Sequence, residues 1–401
     1  MVSPSGIMDI PTAILLEIFL KLPVYAITRC KSVCKSWFNL LVSTDPYFAN
    51  VYTRNPPFTT LVLSEEGGSR TPGNLSTSFF LLEISEDGNN YIRTRLEPRV
   101  PDCLDAKSDL FLSGSSKGFL CLCESKYIAW FMVQTVYISN PITGECIALP
   151  PHRVSCRDRE TTIIQHKFDF SPSTDNFKVM RFVYTRLHSV NDKVHVEIFT
   201  VGVDDHWRCL KEHSIPSSLW SGGFIFNGAY HWIKIVYKKI ELICTFDLGK
   251  EKEGRVINLP PLLENLSEAT ITSFNNRFSL VIRSAQSHIT IWTMTEYGVD
   301  SSWTKDVILQ SWFPSHLCFE EHFPVAILRN GAIIFKRWGK NCLFCCDTKK
   351  KKTATIKLQA DVGAERFKPI SNFVKNYAPS FSSLKELMMG GEGSSVNAKS
   401  K

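Results

Sequence analysis

The 401-residue sequence lacks the features of membrane proteins, secreted proteins and several enzyme classes. No apolar run approaches the roughly 18–20 residues that a membrane span needs. Residues 1–9 do not have the basic-then-apolar order of a signal peptide. The sequence also contains no phosphate-binding P-loop, zinc-protease HExxH or hydrolase G-x-S-x-G motif. We therefore expect a chain without a membrane partner that resides in the nucleus, the cytoplasm or both.

The sequence gives no sign of a disulfide framework, a metal site or a nucleic-acid site. Its thirteen cysteines are odd in number, and several, such as Cys121 and Cys123, lie in apolar strand-like runs. Cys342, Cys345 and Cys346 have no nearby pair of ligands to complete a zinc site. The net charge of +7 is mild for this length, and no element concentrates the Lys and Arg residues. We expect reduced thiols, no metal, no cofactor and no nucleic-acid partner.

Apolar residues recur at helical spacing within the first fifty residues. Ile14, Ile18 and Leu22 are separated by four residues each, which predicts one apolar helical face. Two further helical stretches follow, over residues 24–32 and 33–42. So short a segment cannot bury this much apolar surface alone, which predicts that it docks onto a partner.

Beyond residue 50 the sequence is typical of short strands separated by turns. A strand, turn, strand and Leu-Pro pattern over residues 136–151 recurs over 243–261 and more weakly over 344–358. Predicted hairpin tips recur about every fifty residues, as in kelch-like propeller blades, near Asp87-Gly88, Gly144, Asp204, Gly249, Gly298 and Thr348. A β-sandwich offers no reason for this repeat, so we predict a β-propeller of about six blades.

The helical segment resembles the F-box. The resemblance rests on Ile10-Pro11, Ile14-Leu15, Ile18, Leu22-Pro23, Ile27, Val33-Cys34-Lys35-Ser36-Trp37, Leu40 and Phe48. Ile10 stands where most members have Leu. The resemblance implies docking onto the Skp-type adaptor of a cullin–RING ubiquitin ligase. By the family pattern, the candidate adaptor contacts are Ile10, Pro11, Leu15, Ile18, Leu22, Pro23, Ile27, Val33, Cys34 and Trp37, although some of these must instead hold the helices together.

The body resembles plant F-box-associated domains. The string Gly114-Ser115-Ser116-Lys117-Gly118-Phe119-Leu120-Cys121-Leu122 is similar to the opening of that domain. Further motifs follow in the family's order: Asn140-Pro141-Ile142-Thr143-Gly144, Phe168-Asp169-Phe170, Asp205-His206-Trp207-Arg208, Asn227-Gly228-Ala229-Tyr230-His231-Trp232 and Phe246-Asp247. Asp169 departs from the pattern, because a Gly is common there.

We therefore predict a mixed, mainly β chain, with a three-helix F-box over residues 7–50, a propeller over 58–385 and a disordered tail over 389–401. The resemblance implies a non-catalytic subunit of an SCF-type ligase whose propeller recruits a protein substrate for ubiquitination. Trp220 and Trp312 are candidate substrate contacts, because aromatic side chains in loops often anchor interfaces.

Two alternatives remain open. The chain could be a non-ligase scaffold, or a ligand-binding propeller with an F-box-like head. It could also be a propeller enzyme, which would need clustered ligands or paired carboxylates at the mouth of the ring. His231 is a conceivable catalytic residue, but a packed histidine with one satisfied nitrogen is the better interpretation.

Overall fold

The computed structural model describes most of the chain in segments: residues 10–42, 47–54, 56–66, 77–100, 109–128, 131–155, 161–186, 193–210, 223–236, 239–260, 268–284, 288–309, 322–337, 342–357, 373–381 and 383–384. The predicted tail at 389–401 lies outside these segments.

Four helices form the N-terminal head, where the sequence predicted three. They are α1 Thr12–Phe19, α2 Val24–Cys30, α3 Lys35–Val42 and α4 Tyr47–Arg54. Pro11 and Pro23 directly precede α1 and α2, where a missing backbone N–H costs nothing. The predicted head ended at residue 50 and so divided α4, in which Phe48 and Tyr52 are spaced by one turn and are both buried.

The strands run in chain order as β1 Thr59–Glu66, β2 Thr77–Ile84, β3 Tyr91–Leu96, β4 Asp109–Ser116, β5 Phe119–Ile128, β6 Phe131–Asn140, β7 Glu145–Ala148, β8 His152–Ser155, β9 Thr161–Ser171, β10 Asn176–Arg186, β11 Lys193–Thr200, β12 Arg208–Cys209, β13 Phe224–Phe226, β14 Ala229–Val236, β15 Lys239–Asp247, β16 Lys252–Glu253, β17 Glu268–Phe274, β18 Arg277–Ser284, β19 His288–Met294, β20 Trp303–Leu309, β21 His322–Ile327, β22 Ile333–Arg337, β23 Cys342–Asp347, β24 Lys352–Lys357 and β25 Phe373–Asn376. A short 3-10 helix, Asp300–Ser302, precedes β20.

These strands form six antiparallel sheets that we number as blades 1 to 6. Blade 1 has the order β25-β1-β2-β3, blade 2 β4-β5-β6-β7 with β8 also on β6, and blade 3 β9-β10-β11-β12. Blades 4 to 6 are β13-β14-β15-β16, β17-β18-β19-β20 and β21-β22-β23-β24. The first strands of neighbouring blades contact one another in a closed ring from β25 through β4, β9, β13, β17 and β21 back to β25. The body is therefore a six-bladed propeller, which confirms the predicted fold class.

All six predicted hairpin tips join the third strand of a blade to its fourth. They are the connections β2–β3, β6–β7, β11–β12, β15–β16, β19–β20 and β23–β24. Gly88, Gly144 and Gly298 adopt φ values of 71°, 79° and 80° at three of these tips, a region that glycine enters without steric cost. The fifty-residue period of the sequence thus marks the outer hairpin of each blade.

Apolar clusters fill the spaces between adjacent blades. One cluster joins blades 6 and 1 and includes Leu61, Leu82, Ile334 and Leu343, each fully buried. Because each blade buries both faces in this way, closure of the ring leaves only short outer strands exposed. No helix in the described segments is long and apolar enough to span a membrane.

Candidate functional site: the helical head and the far end of the propeller

The head packs on blades 1 and 2 through one continuous apolar cluster. Phe19 and Trp37 meet edge-on with ring centroids 5.0 Å apart, and Ile27 is completely buried. Leu81 of blade 1 and Leu122 of blade 2 belong to the same cluster. The head is therefore built partly on propeller residues rather than joined to the propeller by a free linker.

The structure divides the ten candidate adaptor contacts into three groups by exposure. Leu15, Ile27 and Trp37 are buried in the head core. Ile10, Leu22, Pro23 and Cys34 are half-buried, and Pro11, Ile18 and Val33 are exposed. Burial of the first group means that Leu15, Ile27 and Trp37 hold the helices together in this structure. Adaptor contact by the ten residues stays a prediction.

Three exposed apolar residues of the head were absent from the predicted contact set. Ile14, Phe38 and Tyr47 are 50%, 48% and 57% exposed. Ile14 lies one turn before Ile18, so helical periodicity alone could have placed these two side chains on one outward face. Phe38 and Tyr47 carry no such signal, because their exposure depends on how α3 and α4 pack.

A groove of about 350 Å³ opens between α1, α3 and α4. Leu15 and Leu16 line it from α1, Trp37 and Leu40 from α3, and Tyr47 from the start of α4. Apolar grooves between helices are suited to receiving an apolar side chain or helix face of another protein. Leu15 and Leu16 line the groove, whereas Ile14 and Ile18 of the same helix are exposed outside it, so α1 contributes to both surfaces.

The charged residues of the described head are predominantly basic. Lys21, Arg29, Lys35 and Arg54 are exposed, whereas Glu17 is their single acidic counterpart within 10–42 and 47–54. Such an imbalance raises the association rate with a partner that is acidic around its docking surface.

The head lies at the end of the propeller that carries the six outer hairpin tips. Lys31 of the head donates a hydrogen bond to the carbonyl of Ile142 in the β6–β7 tip, and Glu83 of β2 contacts α2 close to the β2–β3 tip. Because the strands alternate in direction, the connections between second and third strands, and those between blades, leave at the opposite end. We call this the far end.

Exposed apolar side chains lie at the far end. Ile128 and Phe131 flank the β5–β6 connection and are 57% and 43% exposed, and Ile235 near the β14–β15 connection is 62% exposed. The strand pair β5–β6 extends beyond the start of β4, whose pairing begins at Asp109 opposite Ser125. Trp220 and Trp312, the predicted substrate contacts, lie outside the described residues.

His231, the residue considered for the enzyme alternative, lies in the propeller core. His231 is fully buried, and its Nε2 lies 2.7 Å from the hydroxyl oxygen of Tyr297. Burial lowers the pKa of His231 to about 4, so its imidazole is neutral and serves packing at physiological pH. Within the described segments, no group of three or more His, Cys, Asp or Glu side chains could hold a metal ion.

Comparison with known proteins assigns both parts of the chain. A family model of the F-box associated beta propeller domain matches residues 73–380, and an F-box-like model matches residues 7–50. The chain belongs to the F-box associated beta propeller family. It is an F-box protein of the plant type, in which the propeller follows the F-box in the chain. Such proteins generally serve as non-catalytic adaptors.

The relatives of this F-box protein are distant in sequence but similar in extent. F-box protein At3g07870 of Arabidopsis thaliana is 23% identical over 347 residues, which cover 81% of this chain and 78% of the relative. F-box protein CPR1 of Arabidopsis thaliana is 22% identical over 377 residues, covering 87% and 84%. Among solved structures, YCF48 from Cyanidioschyzon merolae matches 81% of this chain and 95% of its own with 12% identity and a TM-score of 0.34, which is too low to support an inference.

Proposed function

We propose that this F-box protein is a substrate-recognition subunit of an SCF-type cullin–RING ubiquitin ligase, acting in the nucleus, the cytoplasm or both. The head binds the Skp-type adaptor, and the propeller binds a protein substrate. Ubiquitin transfer is carried out by other subunits, so this chain needs no nucleophile. Its contribution is to raise the effective concentration of the substrate near the loaded conjugating enzyme.

The observation that supports this proposal is that apolar side chains of the head remain exposed although the head packs on the propeller. Ile14, Ile18 and Val33 stay exposed although Leu15, Phe19 and Ile27 beside them are buried. Exposed apolar faces of this kind on a small helical unit mark an interaction surface. We place the adaptor on the Ile14–Ile18 face and in the groove between α1, α3 and α4.

The two ends of the propeller support a division of labour. The head packs on blades 1 and 2 at the end of the propeller that carries the outer hairpin tips. Ile128 and Phe131 project there beside the first strand of blade 2. We propose that substrate meets the far end, beside these apolar side chains. A substrate held there does not compete with the adaptor for space.

The test is binding of the purified full-length chain to a Skp-type adaptor, measured by biolayer interferometry. Ile14→Asp should weaken binding at least about tenfold, because it places a charge in the buried centre of the interface. Residue 14 lies in the first turn of α1, where a carboxylate is favourable to the helix, so the substitution should leave the head folded.

Ile235→Asp is the matched control, since it changes another exposed isoleucine, which lies on the propeller. It should bind the adaptor like the unmodified chain. If the unmodified chain does not bind the adaptor, the proposed function is contradicted, and the non-ligase scaffold is the alternative function that remains. Full binding by Ile14→Asp would instead refute our placement of the adaptor on α1.

A further inference from the structure

Both ends of helix α2 are fixed to the propeller by hydrogen bonds. At its N-terminus, the Glu83 carboxylate accepts the backbone N–H of Val24 at 2.6 Å and that of Tyr25 at 3.3 Å. At its C-terminus, the Lys31 ammonium donates to the carbonyl oxygen of Ile142 at 2.8 Å. Glu83 belongs to blade 1 and Ile142 to blade 2, so α2 is held across the junction between two blades.

Glu83 fulfils a role that the head cannot fill from its own sequence. The first amides of a helix lack intrahelical acceptors, and Pro23 at the N-cap position has no side-chain oxygen to offer. Glu83 is fully buried, and a buried carboxylate is costly unless it is hydrogen-bonded. The helix amides and the positive end of the helix dipole satisfy it here. The contact is therefore specific, and pivoting of α2 would leave both sides unsatisfied.

A second attachment comes from the residues after β25, which we call the C-terminal strap (residues 377–381 and 383–384). The Tyr377 hydroxyl donates to the carbonyl oxygen of Gly118 at 3.0 Å, and Asn140 Nδ2 donates to the carbonyl oxygen of Ser380 at 3.1 Å. Gly118 has φ of 82°, and a Cβ there would lie 2.3 Å from the Ser380 Cβ. The glycine thus allows the strap to lie directly on blade 2.

The strap also reaches the head. The Phe381 ring lies 5.2 Å from that of Phe48 and 5.5 Å from that of Tyr52, both on α4. The Tyr52 hydroxyl in turn donates to the carbonyl oxygen of Leu22, between α1 and α2. A continuous set of contacts therefore runs from blade 2 through the strap and α4 to the rest of the head.

We propose that head and propeller form one rigid body, and that Glu83 and Phe381 are positioning residues that set the direction of the adaptor-binding surface relative to the far end of the propeller. The functional part of this inference rests on the proposed ligase role. A fixed head gives a bound substrate one position relative to the conjugating enzyme, so only a restricted set of lysines comes within reach of ubiquitin transfer.

The first experiment is hydrogen exchange on the full-length chain, read by mass spectrometry. Glu83→Ala should speed exchange of the α2 amides about tenfold, because it removes two charge-assisted hydrogen bonds and leaves both amides without an acceptor. Phe381→Ala should do the same for α4. Strands β10 and β18 should exchange as before, which shows that the propeller is folded.

Three further variants sharpen this measurement. Glu83→Gln keeps a carbonyl acceptor and should restore part of the protection. Lys31→Met removes only the hydrogen bond to the Ile142 carbonyl, and it replaces Glu83→Ala as the test variant if Glu83→Ala does not fold. Glu86→Ala changes an exposed carboxylate in the β2–β3 hairpin tip, close to Glu83, and should leave the exchange of the α2 amides unaltered. Unchanged α2 and α4 exchange in both Glu83→Ala and Phe381→Ala would overturn the rigid-body inference.

The second experiment maps ubiquitin transfer onto the chain's own lysines in a ligase reconstituted with the adaptor, cullin and RING subunits. Glu83→Ala and Phe381→Ala should widen the set of modified propeller lysines at unchanged adaptor affinity, whereas Glu86→Ala should retain the original set. An identical set in all four proteins would overturn the positioning role. If the unmodified chain does not bind the adaptor, the proposed function fails, and hydrogen exchange alone decides whether head and propeller are rigid.

Discussion

Replacement of Trp37 separates a core role from a contact role in the head. Its side chain is 8% exposed and meets the Phe19 ring edge-on at 5.0 Å. Trp37→Ala removes this aromatic pair and leaves a cavity, at a cost of about 3–5 kcal/mol. That is a large share of the stability available to a small helical unit, so we expect α1 and α3 to open locally. Trp37→Phe keeps an aromatic ring against Phe19 and should cost about 1–2 kcal/mol.

The assay measures adaptor affinity and hydrogen exchange of α1 on the same preparations. Trp37→Ala should lose both adaptor binding and α1 protection, whereas Trp37→Phe should retain most of both. Ile14→Asp should lose adaptor binding alone. This contrast distinguishes a residue that shapes the surface from one that touches the partner.

One outcome would refute the assignment of Trp37 to the core. If Trp37→Ala keeps the α1 protection of the unmodified chain and yet fails to bind the adaptor, Trp37 is a direct contact. The groove above it would then be the centre of the interface, and the Ile14–Ile18 face would be its rim.

Two further predictions concern the propeller. Asp169 accepts hydrogen bonds from the Ser116 hydroxyl at 2.6 Å and the Gly228 amide at 3.4 Å, which links blades 2, 3 and 4. Asp169→Ala should therefore lower the free energy of unfolding, measured in urea, by about 1–3 kcal/mol. Asp205→Ala, at an exposed carboxylate, is the control, and equal urea midpoints for the two variants would contradict this role of Asp169. Burial lowers the pKa of His166 to about 3 and those of His231 and His322 to about 4. Because these values lie below the unfolded value of about 6.5, the stabilisation is complete above pH about 6.5 and is lost as the pH falls toward the folded values. The urea midpoint should therefore drop between pH 7 and pH 4.5, and the drop should be smaller in His231→Phe; an equal drop would contradict the part assigned to His231.

Asp169, which departs from the family pattern, shows which features of a residue can be predicted from sequence motifs and which cannot. Its position was recognisable in the sequence as one where a glycine is common, but no local pattern named its partners. Ser116 is 53 residues away along the chain and Gly228 is 59 residues away. They meet Asp169 because the ends of β4, β9 and β13 adjoin around the ring, which is a consequence of closure.

The sequence by itself determined the repeat, the blade type and the presence of the F-box. Turn residues and apolar alternation act over a few neighbouring positions, so Gly88, Gly144 and Gly298 could mark outer hairpins without knowledge of the ring. Helical periodicity likewise identified α1, and the order of Pro, Cys and Trp residues identified the family.

Only the tertiary structure decided which apolar residues of the head are free and how the head is held. Trp37 and Ile14 are equally apolar in sequence, but packing on blades 1 and 2 buries the first and leaves the second exposed. The Glu83 contact with α2 and the Phe381 contact with α4 join residues far apart in the chain. The Phe381 contact forms because β25 returns to complete blade 1, and no periodicity encodes that return.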